Sequence, residues 1–246
     1  MRNRREIIRV ADAEAMAHAA AQQLLACMAT SRQVIAVCLT GGSSPQRLYQ
    51  LLATNAYRSR IPWPRVHWFI GDERFVAPDD PRNNMAMARR LFLDACAPSP
   101  NVHAIPTNAG TIDDAARAYE LTLQTFYGSN RLDPEQPLFD LVLMGLGPDG
   151  HTASLFPGDA ALSENARWVV GVPRANVAPF VPRVTLTLPA LGSCRNMLFQ
   201  IGGPDKRAIL ARILAGEDLP AAHAHAQDRT TWLVDAEALS RETGDA

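Results

Sequence analysis

An α/β fold is what this sequence predicts, and three observations predict it. Short apolar runs rich in β-branched and aromatic residues alternate along the chain with longer stretches of helical spacing. With 246 residues, 47% hydrophobic and 20% charged, the chain is long enough to bury one sizeable core and has an ordinary globular composition. No internal repeat, low-complexity tract or long linker divides it, so residues 1–246 read as a single domain.

The elements follow in order. A strand-like run at 7–10 precedes a helical stretch at 12–30, and the unbroken apolar run at 34–39 reads as a buried strand. Ser44 then offers an N-cap with Pro45 at the first helical position, predicting a helix over 45–53. A strand at 66–70 leads through Pro81-Arg82-Asn83-Asn84 to a helix over 83–94, with Asn83 as its cap. Asp113 and Asp114 place negative charge in the first turn of a helix over 111–127, where the helix dipole favours it. Strands at 139–144, 168–172, 184–188 and 197–201 come next, then a helix over 204–215 and a last strand at 232–234. The proline-rich stretches 98–106 and 173–182 read as loops within the domain, the second a mobile one.

Composition also excludes function classes. Lys and Arg number 24 against 25 Asp and Glu, a net charge of -1, so no broad field gathers nucleic acid or anionic membrane. Any anion site is local. Cys27, Cys38, Cys96 and Cys194 are scattered without a C-x-x-C pair and read as small buried residues of a reducing compartment. The N-terminus starts basic, but no apolar stretch or cleavage site follows, and no run approaches the roughly 18 apolar residues of a membrane span. The expectation is a cytoplasmic protein with neither membrane nor nucleic-acid partners. His223-Ala224-His225 has no third ligand in register, so no metal is expected.

Ligands of open α/β sheets bind outside the carboxyl ends of the strands, so the segments after the four clearest strands are the candidate site. Thr40-Gly41-Gly42-Ser43-Ser44-Pro45 is either a phosphate cradle, with backbone N–H groups of Gly41, Gly42 and Ser43 free for oxygen anions, or a capped tight turn. Gly71-Asp72-Glu73-Arg74 offers a guanidinium fork for a phosphate, with Asp72 or Glu73 holding it or contacting sugar hydroxyls, and Asn84 follows as a ligand contact. Gly145, Gly147 and Gly150 spell G-x-G-x-x-G, but Pro148, Asp149 and a short proline-ended segment stand where a dinucleotide site requires a long helix. The better reading is a glycine-rich loop exposing Asp149 and His151, a histidine that takes a proton from water and returns it. Finally, Gly202-Gly203-Pro204-Asp205-Lys206 puts a lysine at a helix start, where the dipole disfavours it unless an anion is bound.

In order and residue type these loops resemble those of the 6-phosphogluconolactonases, from about residue 34 to about residue 232. The segment from Gly147 to Gly158 carries the resemblance most specifically, supported by Asp72-Glu73-Arg74, Arg183-Val184-Thr185-Leu186-Thr187-Leu188 and Gly203-Pro204-Asp205-Lys206. Gly71 and Asn83 depart from the usual family pattern. The resemblance implies a single Rossmann-like sandwich with a largely parallel central sheet and helices on both faces. It further implies hydrolysis of 6-phospho-D-glucono-1,5-lactone to 6-phosphogluconate in the oxidative pentose phosphate route, without a cofactor, by a monomer or small homo-oligomer. His151 and Asp149 would be catalytic, and Arg74, Lys206 and Arg183 would bind the 6-phosphate. The related glucosamine-6-phosphate deaminases follow their histidine loop with Asn-Glu-Pro, where this chain has Leu155-Phe156-Pro157; a phenylalanine carries no proton. A covalent route through Ser43, Ser44 or Ser154 has no nucleophile elbow to support it.

Overall fold

Six parallel strands form the centre of the molecule, in the spatial order β1-β9-β8-β5-β2-β3. They are β1 (Arg5–Val10), β2 (Ile35–Leu39), β3 (Val66–Ile70), β5 (Phe139–Met144), β8 (Cys194–Ile201) and β9 (Arg229–Asp235). A computed structural model describes residues 5–29, 32–108 and 110–239. The basic start of the chain and the predicted helix end at Thr30 lie outside the described residues. Every residue of β2 and β5 is buried, which is why neither strand alternates polar with apolar residues; the one polar residue, Asp140 of β5, accepts from Ala36 N at 2.9 Å.

The runs predicted at 168–172 and 184–188 do not join this sheet. As β6 (Val169–Val172) and β7 (Arg183–Leu186) they pair antiparallel with each other and with β4 (Asp72–Arg74), giving a second sheet ordered β4-β7-β6. β4 was expected as a loop, because three consecutive charged residues have no strand signature; pairing with β7 makes it a strand. β7 stops at Leu186 since Pro189 sits in the first turn of a helix at Leu188–Gly192.

The helices are α1 (Ala13–Met28), α2 (Gln46–Leu52), α3 (Asn55–Arg58), α4 (Asn84–Ala88), α5 (Asp94–Cys96), α6 (Ile112–Tyr127), α7 (Leu188–Gly192), α8 (Arg207–Leu214) and α9 (Pro220–His223). α1 packs on β1, β5, β8 and β9, whereas α6 packs on β6 and β7. Thr111 and Asp114 close a capping box at the start of α6, beyond the dipole effect expected there. Asn83 caps α4 as expected, its side chain accepting from Ala86 N at 2.8 Å. Ser44 does not cap α2: residues 43–45 form a turn, and the helix starts at Gln46 with no side-chain cap. The predicted helix over 83–94 is interrupted by a π turn at Arg89–Leu93, and the one over 204–215 starts with a 3₁₀ turn at Pro204–Lys206. Cys38 and Cys194 are buried, Cys27 and Cys96 half-buried, and all four are free thiols. Among the described residues no helix is long and apolar enough to cross a membrane.

At the sheet edge His67 Nδ1 lies 3.0 Å from His103 Nε2, and the His103 ring stacks on Phe69 at 4.4 Å. Burial, followed by the neighbouring His67, pushes His103 down from 6.5 to about 4. The fold therefore favours neutral His103, so this contribution to stability is present above pH 6.5 and is lost as pH falls towards 4. Thermal melts in that window should show Tm falling with pH, and His103→Phe should flatten the slope; a slope unchanged in the variant would assign the effect elsewhere.

Candidate active site

From β2 the chain crosses to β3 on one side, while β5, β8 and β9 lie on the other, so order reverses between β2 and β5. A cleft of about 350 Å³ opens over the carboxyl ends of these strands. All four segments chosen from the sequence contribute to it, because β8, β5, β2 and β3 are neighbours in the sheet.

After β2, Gly41, Gly42 and Ser43 form one wall. A Cβ added to Gly41 would fall 2.0 Å from Asn84 Oδ1, so only glycine lets this turn approach α4. Gly42 has φ +90°, a left-handed conformation that glycine adopts without strain. Asn84 Nδ2 in turn donates to the Asp72 carbonyl at 2.9 Å.

After β3, the two antiparallel partners Arg74 and Arg183 stand directly opposite each other, both lining the cleft. Like charges in that register repel. Arg74 Nη1 donates to the Arg82 carbonyl at 2.7 Å and Arg183 Nη2 to the Pro179 carbonyl at 2.8 Å, but neither Nε has a partner among the described residues although both are buried. Of the two roles open to Asp72 and Glu73, holding the Arg74 guanidinium is not filled: among the described residues neither forms an ion pair with it, and its Nη1 is held by the Arg82 carbonyl instead. Unpaired buried donors beside two like charges would give an anion both hydrogen bonds and compensating charge. Burial lowers the Arg183 pKa. Lys206 also lines the cleft, but it closes the 3₁₀ turn before α8 and pairs with Asp205 Oδ2 at 2.9 Å. The anion inferred from its position has an intramolecular counterpart.

The loop after β5 supplies the histidine. His151 Nδ1 lies 2.5 Å from Asp149 Oδ1, so the contact that spacing alone left open is made. The Asp149 oxygen also accepts the His151 backbone N–H at 3.1 Å. Burial works to raise the Asp149 pKa, but the hydrogen bond and charge of His151 outweigh it and hold the carboxyl below its usual value. Asp149 is not part of the cleft wall; it stands behind His151, whose Nε2 is left for the cleft. The ring leans on Phe156, centroids 4.8 Å apart. Gly147 N donates to the His151 carbonyl at 2.8 Å, and a Cβ on Gly147 would sit 2.0 Å from His151 Nδ1. Turns and a 3₁₀ segment at Ala160–Ser163 follow the loop, so its G-x-G-x-x-G opens no helix.

The sequence suggests for Ser154 only the role of a nucleophile. Its Oγ donates to Asp72 Oδ2 at 2.6 Å, which commits the hydroxyl to Asp72 rather than to His151, and both residues line the cleft. Val177 and Ala178, from the proline-rich loop at 173–182, complete the wall; nothing in their identity marks them out in the sequence.

A parallel sheet with its cleft at the strand reversal, lined by opposed cations and a carboxylate-backed histidine, is the layout of an α/β enzyme acting on a small anionic molecule. The model of the glucosamine-6-phosphate isomerase/6-phosphogluconolactonase family matches residues 11–232, and the chain belongs to this family. It is 39% identical over 208 residues to a 6-phosphogluconolactonase of a Nostoc species, 82% of each chain being covered. It is 37% identical over 244 residues to the 6-phosphogluconolactonase of Mycobacterium leprae, covering 95% of this chain and 96% of that one. The crystal structure of the 6-phosphogluconolactonase of Thermotoga maritima superposes with a TM-score of 0.82 at 30% identity, covering 94% of this chain and all of the other.

Proposed function

We propose that the protein hydrolyses 6-phospho-D-glucono-1,5-lactone to 6-phosphogluconate, in the cytoplasm and within the oxidative pentose phosphate pathway. The observation that carries the reading is that one cleft brings His151, backed by Asp149, together with Arg74, Arg183 and Lys206. Those cations and the N–H groups of the Gly41–Ser43 turn bind the 6-phosphate, which places the lactone ring towards His151. Asp72 and Asn84, which line the same cleft, take the sugar hydroxyls.

In the reaction, His151 Nε2 accepts a proton from water as the water oxygen bonds to C1 of the lactone. Asp149 orients the ring and stabilises the imidazolium. When the tetrahedral intermediate collapses, the bond from C1 to the ring oxygen breaks, and the imidazolium returns the proton to that oxygen. The products are a free hydroxyl and a carboxylic acid, which ionises. No cofactor or metal is called for, and no nucleic acid or membrane enters the reading. Phe156, packed on the His151 ring where the deaminases carry glutamate, disfavours ring-opening chemistry on an amino sugar.

The test is to generate the lactone in place from glucose 6-phosphate and follow acid release with and without protein, after subtracting spontaneous hydrolysis, with ammonia release from glucosamine 6-phosphate measured alongside. Acceleration with the lactone alone is the expected result. Acid release at the spontaneous rate would overturn the proposal, and ammonia release would turn the assignment to deamination.

A further inference from the structure

Glu73 lies between two residues of the cleft wall, Asp72 and Arg74, but on the opposite face of β4, as the two-residue period of a strand requires, and it is fully buried. Its carboxylate accepts three backbone N–H groups. Oε1 takes that of Arg74 at 2.9 Å and that of Asn84 at 2.6 Å, and Oε2 takes that of Met85 at 2.9 Å. Asn84 and Met85 open α4, so one side chain joins the strand that carries Arg74 to the helix that carries Asn84. Asn84 in turn stands against the Gly41 turn, with no room for a Cβ between them.

We propose that Glu73 is a positioning residue for the phosphate end of the cleft: its carboxylate sets where Arg74 lies relative to Asn84 and the Gly41–Gly42 turn, and thereby the affinity for the phosphorylated substrate. The proposal rests on the reading of Arg74, Arg183 and Lys206 as the phosphate cations. Hydrogen bonds to an ionised carboxylate are roughly twice as strong as neutral ones, so the tie is tightest when Glu73 is charged. Burial, opposed by the three N–H groups and helped by Asp72, pushes its pKa up to about 7. Besides Asp72, the charged or titratable groups coupled to it electrostatically are Arg183 on β7, from across the strand, and Tyr119 on α6. Protonation turns one acceptor into a donor that confronts an N–H group, and the tie loosens as pH falls below about 7.

The experiment is an equilibrium titration of the full chain with 6-phosphogluconate, which is stable across the pH range, at about pH 5.5 and about pH 8.5. Glu73→Gln should raise Kd about tenfold at the higher pH, where the carboxylate it replaces is charged, and much less at the lower one. Turnover at saturating lactone should stay within about twofold, a split that general loss of structure does not produce. An unchanged Kd, a ratio that is the same at both pH values, or a loss in kcat as large as that in affinity would overturn the proposal. If the glutamine variant does not fold, Glu73→Asp, which keeps the charge but withdraws the oxygens by one methylene, should weaken binding and retain the pH dependence; wild-type binding in it would equally overturn the proposal. Lys206→Ala is titrated in parallel: undiminished affinity there would mean that the phosphate reading fails, whereas weakened affinity there with an unaffected Glu73→Gln would sink the Glu73 proposal alone.

Discussion

His151→Ala is expected to lower kcat by about 10²–10⁴, the range that general acid–base help supplies, while KM moves little. The reason is geometric: Asp149 occupies Nδ1 at 2.5 Å, leaving Nε2 as the one ring nitrogen available to take the proton from water. The proposed phosphate cations lie elsewhere, Arg74 on β4, Arg183 on β7 and Lys206 in the turn before α8, so 6-phosphogluconate should still bind the variant. Progress curves of lactone hydrolysis and a product titration check both halves. Near-normal turnover would remove His151 from the mechanism, and a large rise in KM with unchanged kcat would make it a binding residue.

An effect of similar size is expected from Gly147→Ala, a change of one methyl group on a residue with no functional group. The new Cβ would lie 2.0 Å from His151 Nδ1 and 2.1 Å from Cε1, far inside van der Waals contact. The ring has to leave its place, and its hydrogen bond to Asp149 goes with it. A displacement of about 1 Å in a catalytic group is enough to cost on the order of 10²-fold in rate. Because both substitutions act on the same ring, Gly147→Ala combined with His151→Ala should be scarcely slower than His151→Ala alone. Full additivity in that double variant, or a Gly147→Ala enzyme with normal kcat, would show that the ring tolerates the methyl group and that the loop is looser than its hydrogen bonds indicate.

Much of the architecture was legible because burial leaves a compositional trace. β2 and β5 lie in the interior of a parallel sheet, so β2 is an unbroken apolar run and β5 is apolar but for Asp140, and the loops that follow them stand out by contrast. The same logic located the cleft, since consecutive glycines and a histidine at the end of a buried strand are hard to explain as packing. β4 left no such trace: it is three charged residues long, and it becomes a strand only because β7 is there to pair with it. Ser44 misled because the caps of short helices obey local rules only when the preceding turn leaves the side chain free, and here Ser43 and Ser44 belong to a turn that lines the cleft.

What the sequence by itself determined is the α/β class, the run of strands and helices, and the four segments that carry the chemistry, because each depends on the residue types within a few positions of one another. The Asp149–His151 contact lay just beyond that reach, since two residues of separation permit it without requiring it. Tertiary structure alone decided that Arg74 faces Arg183, that Asn84 fills the space left by Gly41, and that Glu73 turns away from the cleft to join β4 to α4. These relations join positions distant in the chain, and they are set by strand register and by steric exclusion between packed segments, neither of which is written in the pattern of any single stretch.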